Sequence, residues 1–458
     1  MASVTKRGNT YTIRVSVGYD GQGKQLRQSM TWKPPEGMTE RQTQKELERL
    51  KVEFEQKCLQ GQYMDGSVKL SAFFQSWFND YAKKQLKART AAEYLRLFSR
   101  IDEALGHLRL DKIQPRHLII FYNNLAEAGV RKDVKFKPRS DFAEYMKKNR
   151  LTVSELSRLA DVSAATVGSC RKGLNVSEQS AEKITAALNA DLFSPVDENK
   201  TLSSTSISKY HTLLSSVFAT AVNWQIITSN PCDRVKPPKK HRKEAESLDE
   251  FQTAELIKCL DSEPLQYKAM ITLLLYSGMR RGELCGLEWS DIDFKNSLIS
   301  ISRASLYLSG RGVFDDTTKN ESSKRVIKVP PVVVELLKLH RKEQKAERLK
   351  LGDLWTDSGK IFTQHNGKPI HPDTVSAWFV KFLERHGLPH IPLHGLRHTN
   401  ASLMIANGMN VRTVSKRLGH SNTSTTVNIY THAIQSADER AAQILDILLN
   451  PKTAQGKE

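Results

Sequence analysis

Acidic residues are in short supply in this chain. Against 69 Lys and Arg stand 50 Asp and Glu, a formal charge of +19 in 458 residues. That imbalance suits a polyanionic partner, nucleic acid first and an acidic membrane surface second. Long hydrophobic runs are missing too. The apolar stretch Ala269-Met-Ile-Thr-Leu-Leu-Leu-Tyr276 is too short to span a bilayer. The N-terminal Met-Ala-Ser-Val-Thr-Lys lacks the apolar core of a secretory signal, so no membrane partner is expected. Cysteines number five (Cys58, Cys170, Cys232, Cys259, Cys285), are scattered and form no C-x-x-C pair. Free thiols in a reducing cytosol are the expectation, without a metal site. There is no internal repeat and no long low-complexity tract. What is present, 39% hydrophobic residues over this length, is compatible with two to four folded domains.

Along the chain the pattern changes several times. Asn9 to Val17 alternates as a strand, Asp20-Gly-Gln-Gly reads as a turn, and Gln25 to Trp32 as a returning strand. Residues 1–35 carry six Lys or Arg against one Asp. A helix follows from an N-cap at Thr39. A small basic sheet backed by one helix can enter a major groove; a solvated β-domain with no DNA role is the alternative. Leu70, Phe73, Phe74, Trp77 and Tyr81 recur at helical spacing, as core packing does. Further helices are expected over Thr90–Leu105, Gln114–Ala128 and Leu202–Trp224.

Residues 131–200 interrupt this helical rhythm. Arg131 to Arg150 holds eight Lys or Arg and three acids. Next comes Leu151-Thr-Val-Ser-Glu-Leu-Ser-Arg-Leu-Ala160-Asp-Val-Ser-Ala-Ala-Thr-Val167-Gly-Ser-Cys-Arg-Lys-Gly, which is similar to a helix-turn-helix of the phage repressor type. Ala160 would sit at the tight contact between helices, Ser163 would cap the second helix, and 164–172 would be the recognition helix. Asp161 stands where Gly is usual, and tolerates a left-handed turn less well. A four-helix insertion that packs or binds protein stays open. Val235-Lys-Pro-Pro-Lys-Lys-His-Arg-Lys243 reads as a basic linker.

The last third holds an ordered set of polar residues. Tyr276-Ser-Gly-Met-Arg280-Arg-Gly-Glu283-Leu comes first. Lys319 follows, expected on a hairpin between strands Leu298–Leu308 and Lys324–Val329. Then come His394-Gly-Leu-Arg397-His-Thr, Leu-Gly-His420 and Asn-Ile-Tyr430-Thr-His432. No single motif here is specific. Together, with Leu284, Leu287 and Trp289-Ser-Asp-Ile-Asp, they resemble the tyrosine recombinase (phage integrase) family. The resemblance is strong over about 245–450, moderate over 66–130 and 200–236, and weak over 1–60.

The chemistry such a set can perform follows from charge. A phosphodiester repels nucleophiles, and its non-bridging oxygens gain charge in the transition state; two guanidiniums, Arg280 and Arg397, can hold them with paired N–H bonds. A tyrosine hydroxyl has a pKa of about 10 and must lose a proton. His394 is the candidate base, with the phosphate itself as the alternative acceptor. Lys319 suits protonation of the leaving 5′ oxygen. His420 or His432 can hold a phosphate oxygen, and Glu283 can buttress a guanidinium or a neighbouring His. Arg281, His398 and His432 are nearer to spectators.

The resemblance implies that Tyr430 attacks the scissile phosphate, forms a 3′-phosphotyrosyl bond and frees a 5′-hydroxyl, with no cofactor. It implies a multidomain, mainly α chain with small β-sheets. Residues 1–64 would be an arm-type DNA-binding domain of sheet plus helix. Residues 65–236 would be a helical core-binding domain with the helix-turn-helix-like insertion 131–200. A basic linker, 237–247, would lead to a mixed α+β catalytic domain, 248–458. Double-stranded attachment sites are the implied partner, bound by a homotetramer. An excision factor and a host DNA-bending protein are the accessory partners it implies, in the bacterial cytoplasm at the nucleoid. Candidate DNA contacts are Arg14, Lys24, Arg27, Lys84, Arg89, Arg171, Lys172, Lys239, Lys240 and Arg242. The amphipathic stretch 437–449 would dock on a neighbouring protomer or pack in cis. The expected function is integration and excision of a prophage or conjugative transposon. A type IB topoisomerase-like enzyme and a non-catalytic DNA-binding regulator are the rivals.

Overall fold

The computed structural model describes residues 2–19, 25–59, 68–128, 134–196, 201–239, 246–317, 324–420, 422 and 426–427. The chain divides into two units, Met1–His241 and Arg242–Glu458.

In the first unit, strands Ser3–Arg7, Thr10–Tyr19 and Gln25–Trp32 form an antiparallel sheet in sequence order. Alternation decides its faces: Ile13 and Val15 point into a core shared with Leu47, Phe54 and Cys58, while Arg14 is exposed. The helix Glu40–Leu59 supplies that core and starts as expected. Thr39 Oγ1 accepts from the Gln42 amide (3.4 Å), and Gln42 Oε1 accepts from the Thr39 amide (3.0 Å).

A second core gathers aromatic residues of helices Leu70–Trp77, Ala88–Ile101, Pro115–Leu125 and Ser204–Asn223. Trp77 Nε1 donates to Thr220 Oγ1 (3.0 Å, buried), tying the helices before residue 131 to the one after residue 200. Residues 134–196 have a core of their own. It contains Phe142, Met146, Leu156, Val167, Cys170, Ile184 and Phe193. It is built from helices Phe142–Lys148, Val153–Leu159, Ala164–Arg171 and Glu178–Leu188, and from a three-stranded sheet that the sequence pattern did not suggest.

The second unit is helical around a large apolar core, with two small sheets. Strand Leu298–Ile301 pairs with Arg325–Lys328, but the expected continuous strand to Leu308 is broken at Ser302. Its second half, Arg303–Leu308, pairs instead with Gly312–Thr317. The helix Arg281–Gly286 draws it away. A Cβ on Gly286 would meet Ser305 N at 3.0 Å and Ala304 Cα at 3.1 Å, so backbone rests on backbone there.

Candidate active site

The helix Leu265–Ser277 is apolar almost all round and is buried. It stops at Gly278, in the left-handed region at φ +63°, where a Cβ would strike Leu418 Cδ2 at 2.5 Å and Asn400 Oδ1 at 2.6 Å. Only glycine fits, and the turn it makes delivers Arg280. Asn400 Nδ2 donates to the Leu275 carbonyl (2.7 Å), satisfying one of the helix's last acceptors.

Arg280 precedes the short helix Arg281–Gly286. Its Nη1 donates to Glu283 Oε1 (2.8 Å) and its amide to Oε2 (2.9 Å). Its Nη2 reaches the Gly419 carbonyl (3.4 Å). Glu283 is 2% exposed and holds a second cation, Arg325, whose Nη2 donates to Oε2 (2.8 Å). Burial alone would raise the Glu283 pKa, but the hydrogen bond and charge of Arg325, then Arg280, hold it below the usual carboxylate range. Arg325 Nε also donates to the Arg417 carbonyl (2.7 Å).

Arg397, 3% exposed, lies on the helix Gly395–Ala406. Its Nη1 donates to the Gly278 carbonyl (2.6 Å) and its Nη2 to the Leu418 carbonyl (2.8 Å). Both carbonyls stand at helix C-termini, where the dipole favours a cation. The two guanidiniums thus meet the adjacent carbonyls of Leu418 and Gly419, and His420 follows directly. His420 Nδ1 hydrogen-bonds Thr426 Oγ1 (2.7 Å).

His394 stands at the N-cap position of the Arg397 helix without a side-chain cap bond, and its ring meets that of His398 edge-on at 5.0 Å. Lost hydration, then His398, Arg397 and Arg280, lower the His394 pKa to about 4. The residue is exposed, which softens the first cause and leaves the cations as the firmer one. His420 is lowered to about 4 as well, by burial and then by Arg397 and Arg280. Both are neutral at pH 7.

Arg280, Glu283, His394, Arg397 and His420 are therefore brought together. Lys319, Tyr430 and His432 lie outside the described residues, as do the stretch 437–449, Lys24, Lys240 and Arg242. Arg281 has a structural task, donating to Asp373 (2.7 Å) and Ser376 (2.9 Å). The sequence reading passed over Arg325. Its signal was the alternation Arg325-Val-Ile327: Ile327 is buried and Val326 is 60% exposed, so Arg325 shares the inward face. It also passed over Lys360, buried with 5% exposed, which donates to Gly286 O (3.1 Å) and Glu288 Oε1 (3.0 Å) and pairs with Asp315. Arg14 and Arg27 lie exposed on the sheet face away from the helix, since Arg27 pairs with Ser16 in register. Lys84, Arg89, Arg171, Lys172 and Lys239 are exposed. Among the described residues no group of three or more His, Cys, Asp or Glu is placed to hold a metal ion.

Residues 246–436 match the model of the phage integrase family, and residues 69–126 that of the phage integrase N-terminal SAM-like domain. A XerC-like tyrosine recombinase of Caldanaerobacter subterraneus is 31% identical over 54% of this chain and 67% of its own. The ICEBs1 integrase of Bacillus subtilis is 30% identical over the same shares. The fold is that of a transposon Tn1549 integrase fragment solved with circular-intermediate DNA. That fragment aligns with a TM-score of 0.55 at 19% identity, over 82% of this chain and all of the fragment. The chain belongs to the phage integrase family, the tyrosine-type site-specific DNA recombinases.

Proposed function

We propose that this chain integrates and excises a mobile element, a prophage or conjugative transposon, through a 3′-phosphotyrosyl intermediate. The observation that carries the residue roles is the convergence of Arg280, Arg397 and His420 on the 418–420 segment, with His394 beside them. Arg280 and Arg397 bind the non-bridging oxygens, and His420 a third contact. Tyr430 Oη forms the new bond to phosphorus and the bond to the 5′ oxygen breaks. Lys319 gives that oxygen a proton, while the tyrosine proton passes to His394 or to the phosphate. The freed hydroxyl of a partner strand then reverses the step, so the bond energy is conserved. Glu283 positions Arg280.

In this reading residues 1–64 bind arm-type sites, 65–236 grip the core site, 237–247 link, and 248–458 carry the chemistry. A homotetramer assembles on paired sites in the bacterial cytoplasm at the nucleoid, with an excision factor and a host DNA-bending protein as candidate accessories. The Bacillus subtilis relative named an ICEBs1 integrase supports the mobile-element reading.

The test is a nicked duplex from the element's end junction, read on a denaturing gel, with a gel shift to confirm binding. The expected result is a denaturant-resistant 3′-linked adduct with the parent chain and none with Tyr430→Phe. Bound DNA without adduct from the parent overturns the assignment.

A further inference from the structure

The two family matches leave residues 127–245 uncovered, and the self-contained module 134–196 lies there. Strand Lys135–Pro138 pairs antiparallel with Phe193–Val196, Lys135 opposite Val196 and Pro138 opposite Phe193. The chain therefore enters and leaves the module at neighbouring points. A module joined in this way can be added to a host domain without altering the host core.

Inside it, the turn between two helices is built with care. Thr152 and Glu155 form a capping box at the start of Val153–Leu159 (3.2 and 2.8 Å). Ala160 is buried, and Asp161 takes the left-handed conformation at φ +49°. Lys183 steadies that residue by donating to its carboxylate (2.7 Å) and its carbonyl (3.2 Å). Ser157 Oγ donates to the Val162 carbonyl (2.6 Å), and Ser163 caps Ala164–Arg171 by accepting from the Thr166 amide (3.0 Å). Val167 and Cys170 face inward. The outer surface of this second helix presents Ala164 and Ala165, with exposed Arg171 and Lys172 at its far end and no carboxylate along its length. Lys147, Lys148 and Arg150 are exposed at the end of the module's first helix, Phe142–Lys148, and just beyond it.

Resting on the recombinase reading, we propose that this module is an additional reading head for double-stranded DNA, with Ala164–Arg171 in the major groove. Small side chains let the helix backbone approach the bases. Alanine methyls at 164 and 165 meet thymine methyls, giving an A·T-biased preference rather than a bidentate code. Arg171 and Lys172 bind phosphates and supply affinity.

The experiment uses the full chain carrying Tyr430→Phe, so that DNA stays uncut, and a pool of random-sequence duplexes. The parent should enrich an A·T-rich motif that disappears both in Arg171→Glu/Lys172→Glu and, independently, in Ala165→Glu. On a duplex with that motif, the slope of log affinity against log salt should fall by about 2 in the double variant, about 0.9 per phosphate lost. Uracil for thymine should weaken binding about fourfold per lost methyl contact. Identical motifs and slopes in parent and both variants overturn the proposal and favour a protein partner on exposed Leu159 and Leu174. Adduct formation by the same variants with Tyr430 intact tests the recombinase reading separately.

Discussion

Replacing Arg325 with Met tests whether the carboxylate at 283 sets the geometry of Arg280. Arg325 is 7% exposed in its side chain and gives Glu283 a 2.8 Å bond. Breaking a buried ion pair costs about 3–5 kcal/mol, because a charge is left behind in a poorly solvated place. Here Glu283 keeps both bonds from Arg280, so about 3 kcal/mol is expected. The same change lets the carboxylate swing with Arg280, whose aimed N–H groups would then be misdirected. Deleting such a donor outright costs on the order of 10²–10³ in rate, and misaiming it should cost roughly 10–100-fold. The assay is single-turnover cleavage of a nicked duplex at saturating DNA, well below the variant's unfolding temperature. Binding should change less than about twofold, since Arg325 is too buried to reach DNA. Arg325→Lys, able to donate to Glu283, should recover part of the rate. Cleavage by Arg325→Met at the parent rate would refute the reasoning.

Gly278→Ala should destabilise the second unit by about 2–5 kcal/mol, from a left-handed backbone at roughly 1–2 and overlap at roughly 1–3. Loss of the corresponding thermal transition, with no change in the first unit's, would register it. Lys360→Met removes a buried cation from Asp315 and from Glu288, which keeps Arg303; both carboxylates are partly exposed, so about 1–2 kcal/mol is expected, read as faster amide exchange in the strand Gly312–Thr317. His394 and His420, depressed to about 4 by lost hydration and then by neighbouring cations, should rise when a phosphate offsets those charges. DNA binding at pH 5.5 should then take up protons, and affinity should strengthen as pH falls from 6.5 toward 4. Calorimetry in buffers of different ionisation heat measures the uptake, and His394→Gln/His420→Gln should abolish most of it. In the free protein the same depression works the other way: stability is full above pH 6.5 and declines as pH falls toward 4.

Local rules carried the sequence reading where local forces decide the structure. Thr39 and Gln42 cap a helix through bonds three residues apart, and Ile13 and Val15 alternate because a strand alternates. Ser163 fulfils its expected cap. The departure at Asp161 proves sound because Lys183, 22 residues away, holds it, which no local rule contains. The broken strand at Ser302 depends on Gly286 meeting Ser305 across the fold, again a long-range fact. Arg280 and Glu283 were legible through their spacing of three. The shared carboxylate was not, because Arg325 arrives from a strand 42 residues on and only its alternation with Ile327 marks it as inward.

Counting charge around the site explains why its remaining groups are histidines. Arg280, Arg325 and Arg397 bring three cations, and Glu283 supplies one carboxylate to two of them. Among the described residues, Arg397 meets the carbonyls of Gly278 and Leu418, whose helix-end dipoles offset part of its charge. The described residues thus leave a positive surplus where Arg280 and Arg397 converge. A further lysine at 394 or 420 would add to the repulsion, and a carboxylate would cancel the surplus that attracts a phosphate. Imidazole does neither: lost hydration and then its cationic neighbours keep it neutral, and an anion that offsets those charges lowers the cost of accepting a proton. The surplus that would bind the phosphate is thus also what would make proton acceptance by His394 and His420 conditional on the phosphate being bound.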